Sequence, residues 1–487
     1  MDDLAGRVPE TGDSLQTAFK TKLLIPLVVA SGLFMEGLDS TVIATAIPQI
    51  AHNFGEPALN LTVAVTSYLL SLAVFIPISG WVADRFGARN VFCTAVLLFT
   101  LGSALCGASN SLHELVAMRV LQGLGGAMMT PVGRLILLRS FAKSELVTAL
   151  TYVTIPALVG PAIGPIIGGF CVGYLSWRWI FYINVPIGLL AAAFAWRHIE
   201  NFRVVAPLPF DFRGFVICGG GLALLEYGLE NTGRHLVSLP LILAAYGTGT
   251  LCLILYGFHA RRALNPAVDL GLFRVRTFRT GVLTGGLVRI PMGGVPFILP
   301  LLLQVGFGYS ALESGLQTAC LAIGAVTVKS VNRSLLRRFG YRTVLMANSV
   351  LVGLTMMGMA AFTRETPGWL MAGYLLLTGA IRSTQFTGVN TLGYSDVTPE
   401  MMSRATSVAS VGQQLTMSVG VAIGSTLLAL LSGGGALTVG DFRIVLLVYG
   451  GFAILIALAF RSLRPNDGEA VSGHHVDAVH TADHHGG

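Results

Sequence analysis

Residues 23–50 read LLIPLVVASGLFMEGLDSTVIATAIPQI. The run is long enough to cross a bilayer, whose hydrocarbon core of about 30 Å takes roughly 20 apolar residues as a helix. It nevertheless holds two acids, Glu36 and Asp39. A charge at bilayer depth costs about 2.5–3.5 kcal/mol on insertion scales, and helix packing alone has no need of one. Asp39 is therefore expected to be part of the working machinery. Glu36 and Asp39 are three residues apart and share a helix face. Two neighbouring carboxylates in a low dielectric are costly to keep charged together, which suits a proton-binding site.

Composition extends that reading to the whole chain. Of 487 residues 53% are hydrophobic and only 11% charged, against about 25% charged in soluble domains. The fold class is an all-α polytopic membrane protein. The 59 glycines suit close helix approach in lipid. A net charge of +7 would suggest nucleic acid in a soluble protein. Here the basic residues sit in short loops between apolar runs and read as topological signals, so no nucleic-acid partner is expected. Cys93, Cys106, Cys171, Cys218, Cys252 and Cys320 all lie in apolar runs without CxxC or ligand spacing. They imply no disulfide framework, no metal site and no cofactor. The polar start, MDDLAGRVPETGDSLQTAFK, lacks a signal-peptide pattern, so the first span is expected to be an uncleaved anchor.

Apolar runs at 23–50, 61–82, 90–109, 112–138, 146–174, 177–196, 213–231, 239–258, 280–303, 312–332, 343–362, 368–392, 404–431 and 443–461 give fourteen candidate spans. With both termini cytoplasmic, most of the 31 Lys and Arg fall on the inner side, as the positive-inside rule requires. DRFGAR at 84–89 reappears as RRFGYR at 337–342. That weak repeat suggests two bundles related by an axis along the membrane normal. The expected organisation is a cytoplasmic tail (1–22), a six-helix bundle (23–196), a linker (197–212), two extra helices (213–258), a basic linker (259–279), a second six-helix bundle (280–464) and a disordered His-rich cytoplasmic tail (465–487).

Several stretches carry possible chemistry. In GWVADRFGAR, 80–89, Asp84 with Arg85 and Arg89 places opposite charges at a helix end. They could latch neighbouring helices in one of two states, or simply form a basic loop. GPAIGPIIGG, 160–169, spaces Gly160, Gly164 and Gly168 at i, i+4 and i+8, with Gly169 following. This makes a smooth packing face. Pro161 and Pro165 remove backbone donors and favour a bend, which suits a hinge. Arg119 lies inside the fourth span and needs a counter-charge or a wet cavity. Glu226, four residues before Glu230, falls in one of the two extra spans, where a peripheral, lipid- or interface-facing role is expected. In the second half Arg289 and Arg382 sit near mid-span, and that half has no mid-span carboxylates to pair with them. Facing a cavity they would favour an anionic substrate, with Gln385 and Asn390 adding hydrogen bonds. Lys329 lies nearer an inner end and could snorkel. The alternative is that these cations pair with Glu36 or Asp39 across the bundle.

Five stretches together carry a resemblance. GWVADRFGAR at 80–89, RVLQGLGGA at 119–127, GPAIGPIIGG at 160–169, LDSTVIATAIP at 38–48 and WRWIFYINVPIG at 177–188 resemble motifs of the major facilitator superfamily. More narrowly, they resemble those of its fourteen-span drug:proton antiporters (EmrB/QacA-like). GGAMMTPVGRL, FRVRTFRTG and NRSLLRRFGYR are similar to the MdtD-type branch of multidrug exporters. The resemblance implies two six-helix bundles plus two extra helices and proton-driven export by alternating access. It also implies a part for Arg119 in proton coupling beside Asp39, a structural buried ion pair being the other reading. The motif begins at Leu38 and does not include Glu36. The implied partners are a small-molecule substrate, protons and the bilayer of a bacterial inner membrane, with an accessory periplasmic export partner as a further expectation. The substrate reads either as a range of drugs or as an organic anion such as citrate or a metal–citrate complex. A non-transporting receptor fits less well, since no loop is long enough for a soluble domain. No Walker A loop, nucleotide fingerprint, HExxH or nucleophile elbow is present, so no enzymatic activity is expected.

Overall fold

The computed structural model describes residues 11–141, 143–203, 209–232, 237–398, 401–433, 435–464 and 466–472. Among the described residues there is no strand, and the principal helices run in chain order. They are α1 (Thr11–Phe54), α2 (Thr62–Phe86), α3 (Ala88–Ala108), α4 (Leu112–Ser140), α5 (Lys143–Tyr174), α6 (Trp179–His198), α7 (Phe212–Asn231) and α8 (Leu239–Ala260). There follow α9 (Arg276–Gly306), α10 (Ala311–Thr327), α11 (Lys329–Met359), α12 (Gly368–Tyr394), α13 (Met402–Ser432) and α14 (Val439–Ser462).

Eleven helices among the described residues are long and apolar enough to cross a membrane. The expected spans outside that group are α5, α10 and α12. For α5 only Val159–Tyr174 is an unbroken run of residues whose side chains are described, too short a stretch to count as a span although the apolar sequence runs from 146 to 174. Helix α10 has 17 residues, fewer than the roughly 20 that the hydrocarbon core asks of a straight helix. Helix α12 is diluted by Arg382, Ser383, Thr384, Gln385 and Asn390. These three pack among other helices, α5 on α1 and α10, and α10 on α12, so their polar content is not offered to lipid.

The repeat noticed in the sequence has a backbone counterpart. Gly87, between α2 and α3, has φ 95°, and Gly340, within α11, has φ 71°. Both are in the left-handed region where only glycine is unstrained, and both follow a Phe. The chain reverses at the first and kinks at the second.

Helix α1 begins at Thr11, and its apolar span at Leu24, next to the expected start at 23; residues 1–10 lie outside the described part. Residues 466–472, in the segment expected to be a loose tail, carry the short helix Glu469–Ser472 and contacts with the bundle. Arg276 Nε lies 3.5 Å from Asp467 Oδ2, its guanidinium donates to the Ser462 carbonyl, and Gly468 abuts the Tyr341 ring. The histidines beyond, at 474, 475, 480, 484 and 485, lie outside the described residues.

The stretch 160–169 settles how α5 lies on α1. A Cβ on Gly160 would strike the Phe34 carbonyl, one on Gly164 the Thr41 hydroxyl, and one on Gly168 the Thr45 hydroxyl and Val42 carbonyl. Thus the spacing i, i+4, i+8 seats α5 backbone-to-backbone on residues 34–45 of α1. The prolines do not break the helix, which runs continuously through Pro156, Pro161 and Pro165. Gly169 and Gly315 seal α5 to α10 in the same manner, a Gly315 Cβ falling on the Pro165 carbonyl. Gln304 of α9 donates to the Thr45 carbonyl at 3.1 Å. First-half and second-half helices therefore meet tightly at the end of the bundle that carries Phe54 and Ala311. Gly315→Val is expected to lower the melting temperature in detergent by several degrees, because the backbones must separate. Gly173→Val, where a side chain meets open space, should leave it unchanged; equal effects at the two sites would contradict this packing.

Candidate functional site

Asp39 and Arg119 are brought together as fully buried partners. Arg119 Nη1 donates to Asp39 Oδ2 at 2.5 Å and to Gln122 Oε1 at 2.7 Å. Gln122 Nε2 donates to Asp39 Oδ1 at 2.8 Å and to Ser103 Oγ at 2.7 Å. Arg119 Nε donates to the Ala64 carbonyl at 3.0 Å, and its guanidinium lies 4.2 Å over the Tyr68 ring. The local reason is helical spacing, since Arg119 and Gln122 are three residues apart on one face of α4. The glycines of the stretch around Gln122 let α4 approach its neighbours. A Cβ on Gly123 would strike Ser71 of α2, and one on Gly125 the backbone of α3 at Ala95 and Phe99. Both charges are thereby out of water, and removing either partner of such a pair costs about 3–5 kcal/mol because the other is left uncompensated.

Glu36 does not join this cluster directly. It is half-buried one turn away, and Thr130 Oγ1 donates to its Oε2 at 2.6 Å. The shared helix face thus holds, but each carboxylate has its own partner on α4. Gln122, Thr130, Ser103 and Tyr68 were missed in the sequence. Gln122 sits inside the quoted RVLQGLGGA, and its spacing from Arg119 was the available signal. Tyr68, uncharged in an apolar run, gave none.

A cavity of about 360 Å³ lies between α1, α5, α9, α10, α12 and α13. Arg289 and Arg382 line it, and among the described residues no acidic side chain does. Arg289 donates to Asn390 Oδ1 at 2.7 Å, stacks 5.2 Å from the Phe386 ring, and keeps Nε buried without a hydrogen-bond partner. Arg382 donates to the Met292 carbonyl. Among the described residues neither arginine meets a carboxylate, so pairing with Glu36 or Asp39 is ruled out in this conformation. Pro161, Pro165, Thr41 and Thr45 complete the near wall, while Asp39 points away into the first-half helices. Gln385 is a correction. It turns from the cavity to α11, donating to Ser349 Oγ at 2.8 Å and accepting from Asn348 at 3.0 Å. The Lys329 side chain lies outside the described residues.

The 84–89 stretch is also rearranged. The partner of Asp84 is Arg139, at the end of α4, at 3.4 Å and largely exposed. Arg89 stacks 4.5 Å over Trp196 instead of pairing with Asp84, and no partner of Arg85 is recorded among the described residues. The linker supplies the rest of the clasp: Ala88 N–H donates to the Phe202 carbonyl at 3.0 Å, and Arg203 to the Phe86 carbonyl at 3.2 Å.

Glu226 is a second correction. It is 5% exposed and Glu230 4%, so neither is peripheral. Ser418 of α13 donates to Glu226 Oε1 at 2.6 Å, and Thr62 of α2 to Glu230 Oε2 at 3.3 Å. The acidic face of α7 turns inward because α7 packs against both α2 and α13.

Known proteins share this architecture. The solved D-xylose–proton symporter superposes with a TM-score of 0.64 at 17% identity, covering 92% of this chain and 98% of that one. The nucleoside transporter NupG does so with 0.61 at 14%, covering 91% and 98%. In sequence, the chain is 39% identical over 405 residues to "Putative multidrug resistance protein MdtD" of Escherichia coli O157:H7 and of Shigella flexneri, covering 83% of this chain and 85% of each relative. The family model described as Major Facilitator Superfamily matches residues 29–421 and 282–478. An all-helical bundle of transporter fold, a multi-span sequence and these matches place the chain in the major facilitator superfamily, among its MdtD-like members.

Proposed function

We propose that the protein is a proton-driven exporter of small molecules that works by alternating access. Its cargo enters the cavity beside Arg289 and Arg382. Proton traffic runs through Asp39, with Arg119 as its counter-charge and Glu36 nearby. The names of the 39%-identical relatives support a multidrug range. The observation that carries the reading is the cavity itself, lined among the described residues by two arginines and no carboxylate. That favours organic anions within the range, since an arginine fork matches a carboxylate in geometry and charge. With no nucleotide-binding loop in the sequence, the energy would come from an ion gradient, about 2.3 kcal/mol per charge per 100 mV.

In this reading the chain has fourteen spans, counting α5, α10 and α12, arranged as bundles 23–196 and 280–464 with 213–258 between them. Both termini are cytoplasmic and the membrane is the bacterial inner membrane. The Phe54 end is then the outer end, closed here by α5 on α10 and by Gln304 on Thr45. The 160–169 stretch acts as the pivot on α1, sliding rather than bending. Asp84 with Arg139, and Arg89 on Trp196, latch the inner ends of the first-half helices.

Two outcomes test this in liposomes of purified protein under an imposed pH gradient. Asp39→Asn should reduce gradient-driven transport at least tenfold while the protein still purifies as a single species; wild-type transport would sink the coupling role. Arg289→Ala and Arg382→Ala should each raise KM for anionic compounds about tenfold to a hundredfold, the worth of a charge-assisted hydrogen bond, and change cationic compounds little. A matching loss for both classes would make the arginines structural.

A further inference from the structure

A line of polar groups descends the inner face of α4 that the site above does not use fully. At its top Arg119 and Gln122 hold Asp39. At its foot Thr130 holds Glu36. Between them stands Tyr68 of α2, 1% exposed. Its ring lies 4.2 Å from the Arg119 guanidinium. Its hydroxyl reaches down α4 to Gly126, 3.2 Å from where a Cβ would stand. Gly126 is four residues from both Gln122 and Thr130, so the three share a helix face. The missing side chain at 126 makes the room that the hydroxyl occupies. Among the described residues Tyr68 Oη is fully buried without a hydrogen-bond partner, and so is Nη2 of the Arg119 guanidinium that lies over the Tyr68 ring. Buried polar atoms are ordinarily paired, and two exceptions on stacked side chains ask for an explanation. The titratable groups that act on the phenol are Glu36 and Asp39 of α1 and Arg119 of α4.

We propose that Tyr68 relays protons between Glu36 and Asp39, which makes the phenol part of the coupling machinery; this rests on the proton-driven reading above. Glu36 is half-buried, with exposed Arg134 one turn below Thr130, so it is the end of the line nearer to water. Asp39 is fully enclosed and has no such access of its own. A hydroxyl both donates and accepts, so it can pass a proton without net change. In the step, protonated Glu36 gives its proton through a bridging water to Tyr68 Oη. The Oη–H bond already present breaks as its proton passes, through a second water, to the Asp39 carboxylate. Glu36 ends as carboxylate, Asp39 as acid and Tyr68 as neutral phenol. Water is the only co-reactant, and Tyr68 Oη and Arg119 Nη2 are polar partners it can bind. Protonation of Asp39 removes its charge from Arg119, which is the event a coupled transporter needs.

The test follows the protonated-carboxyl infrared band of Asp39 after a pH jump, in the full-length protein in liposomes without substrate. The band is assigned by its loss in Asp39→Asn. Tyr68→Phe keeps the ring over Arg119 and removes only the hydroxyl. It should slow the appearance of the band at least about tenfold, within the range for a positioned proton-transfer group, and leave its titration midpoint in place. Thr130→Val, which releases Glu36, should slow it similarly and serves if Tyr68→Phe does not fold. Wild-type rates in both variants, or a slowed rate accompanied by an equally shifted midpoint, would overturn the relay. Absence of any titrating Asp39 band in the wild type would overturn the proton-coupled reading and the relay with it; a wild-type band with unslowed variants removes the relay alone.

Discussion

The ion pair between Asp39 and Arg119 is the constraint to which the first half of the molecule is fitted. Neither charge touches water, so each depends on the other and on Gln122, Ser103 and the Ala64 carbonyl. An arrangement of this kind seldom adds net stability over an apolar core; its value is in fixing one geometry and in being costly to disturb. In the proposed coupling, a proton arriving at Asp39 would cancel one of two charges that each lean on the other, and the helices carrying them would have to adjust. The pair draws together α1, which bears Asp39, α4, which bears Arg119, and α2 and α3, which supply the hydrogen bonds.

Helix α1 also joins Asp39 to the cavity. Residues 34–45 of α1 are the surface on which α5 lies, with glycines at 160, 164 and 168 letting backbone meet backbone. Thr41 and Thr45 touch α5 on one side and line the cavity with Pro161 and Pro165 on the other. A change at Asp39 is thus two helical turns or less from the cavity wall, on the same helix.

Apart from the Asp39–Arg119 pair, the buried charges separate by sign. Acidic groups at depth, Glu36, Asp39, Glu226 and Glu230, belong to helices α1 and α7, whereas the cavity holds Arg289 and Arg382. Arg289 Nε stays buried without a hydrogen-bond partner among the described residues. Glu226 and Glu230 serve another junction. Through Ser418 and Thr62 they tie α7 to α13 and α2, helices from opposite halves of the chain.

Much of this was readable in the sequence. Long apolar runs can bury their backbone polar groups in lipid only as helices, so class, helix positions and the anomaly of Asp39 followed from composition and spacing alone. The glycine periodicity of 160–169 announced a close-packed face, and the FG repeat marked two glycines of positive φ, a chain reversal at Gly87 and a kink at Gly340. What the sequence left open were matters of direction and partnership. It could not tell that Asp39 turns from the cavity while Thr41, two residues on, faces it. Nor could it tell that Gln385 leaves the cavity for α11, that Asp84 chooses Arg139 over its neighbours Arg85 and Arg89, or that Glu226 faces inward. Helical spacing fixes which residues share a face; which face meets which neighbour depends on packing among helices far apart in the chain. Tyr68 is the extreme case. An uncharged residue in an apolar run acquires meaning only when α2, α4 and α1 place its hydroxyl over the gap at Gly126.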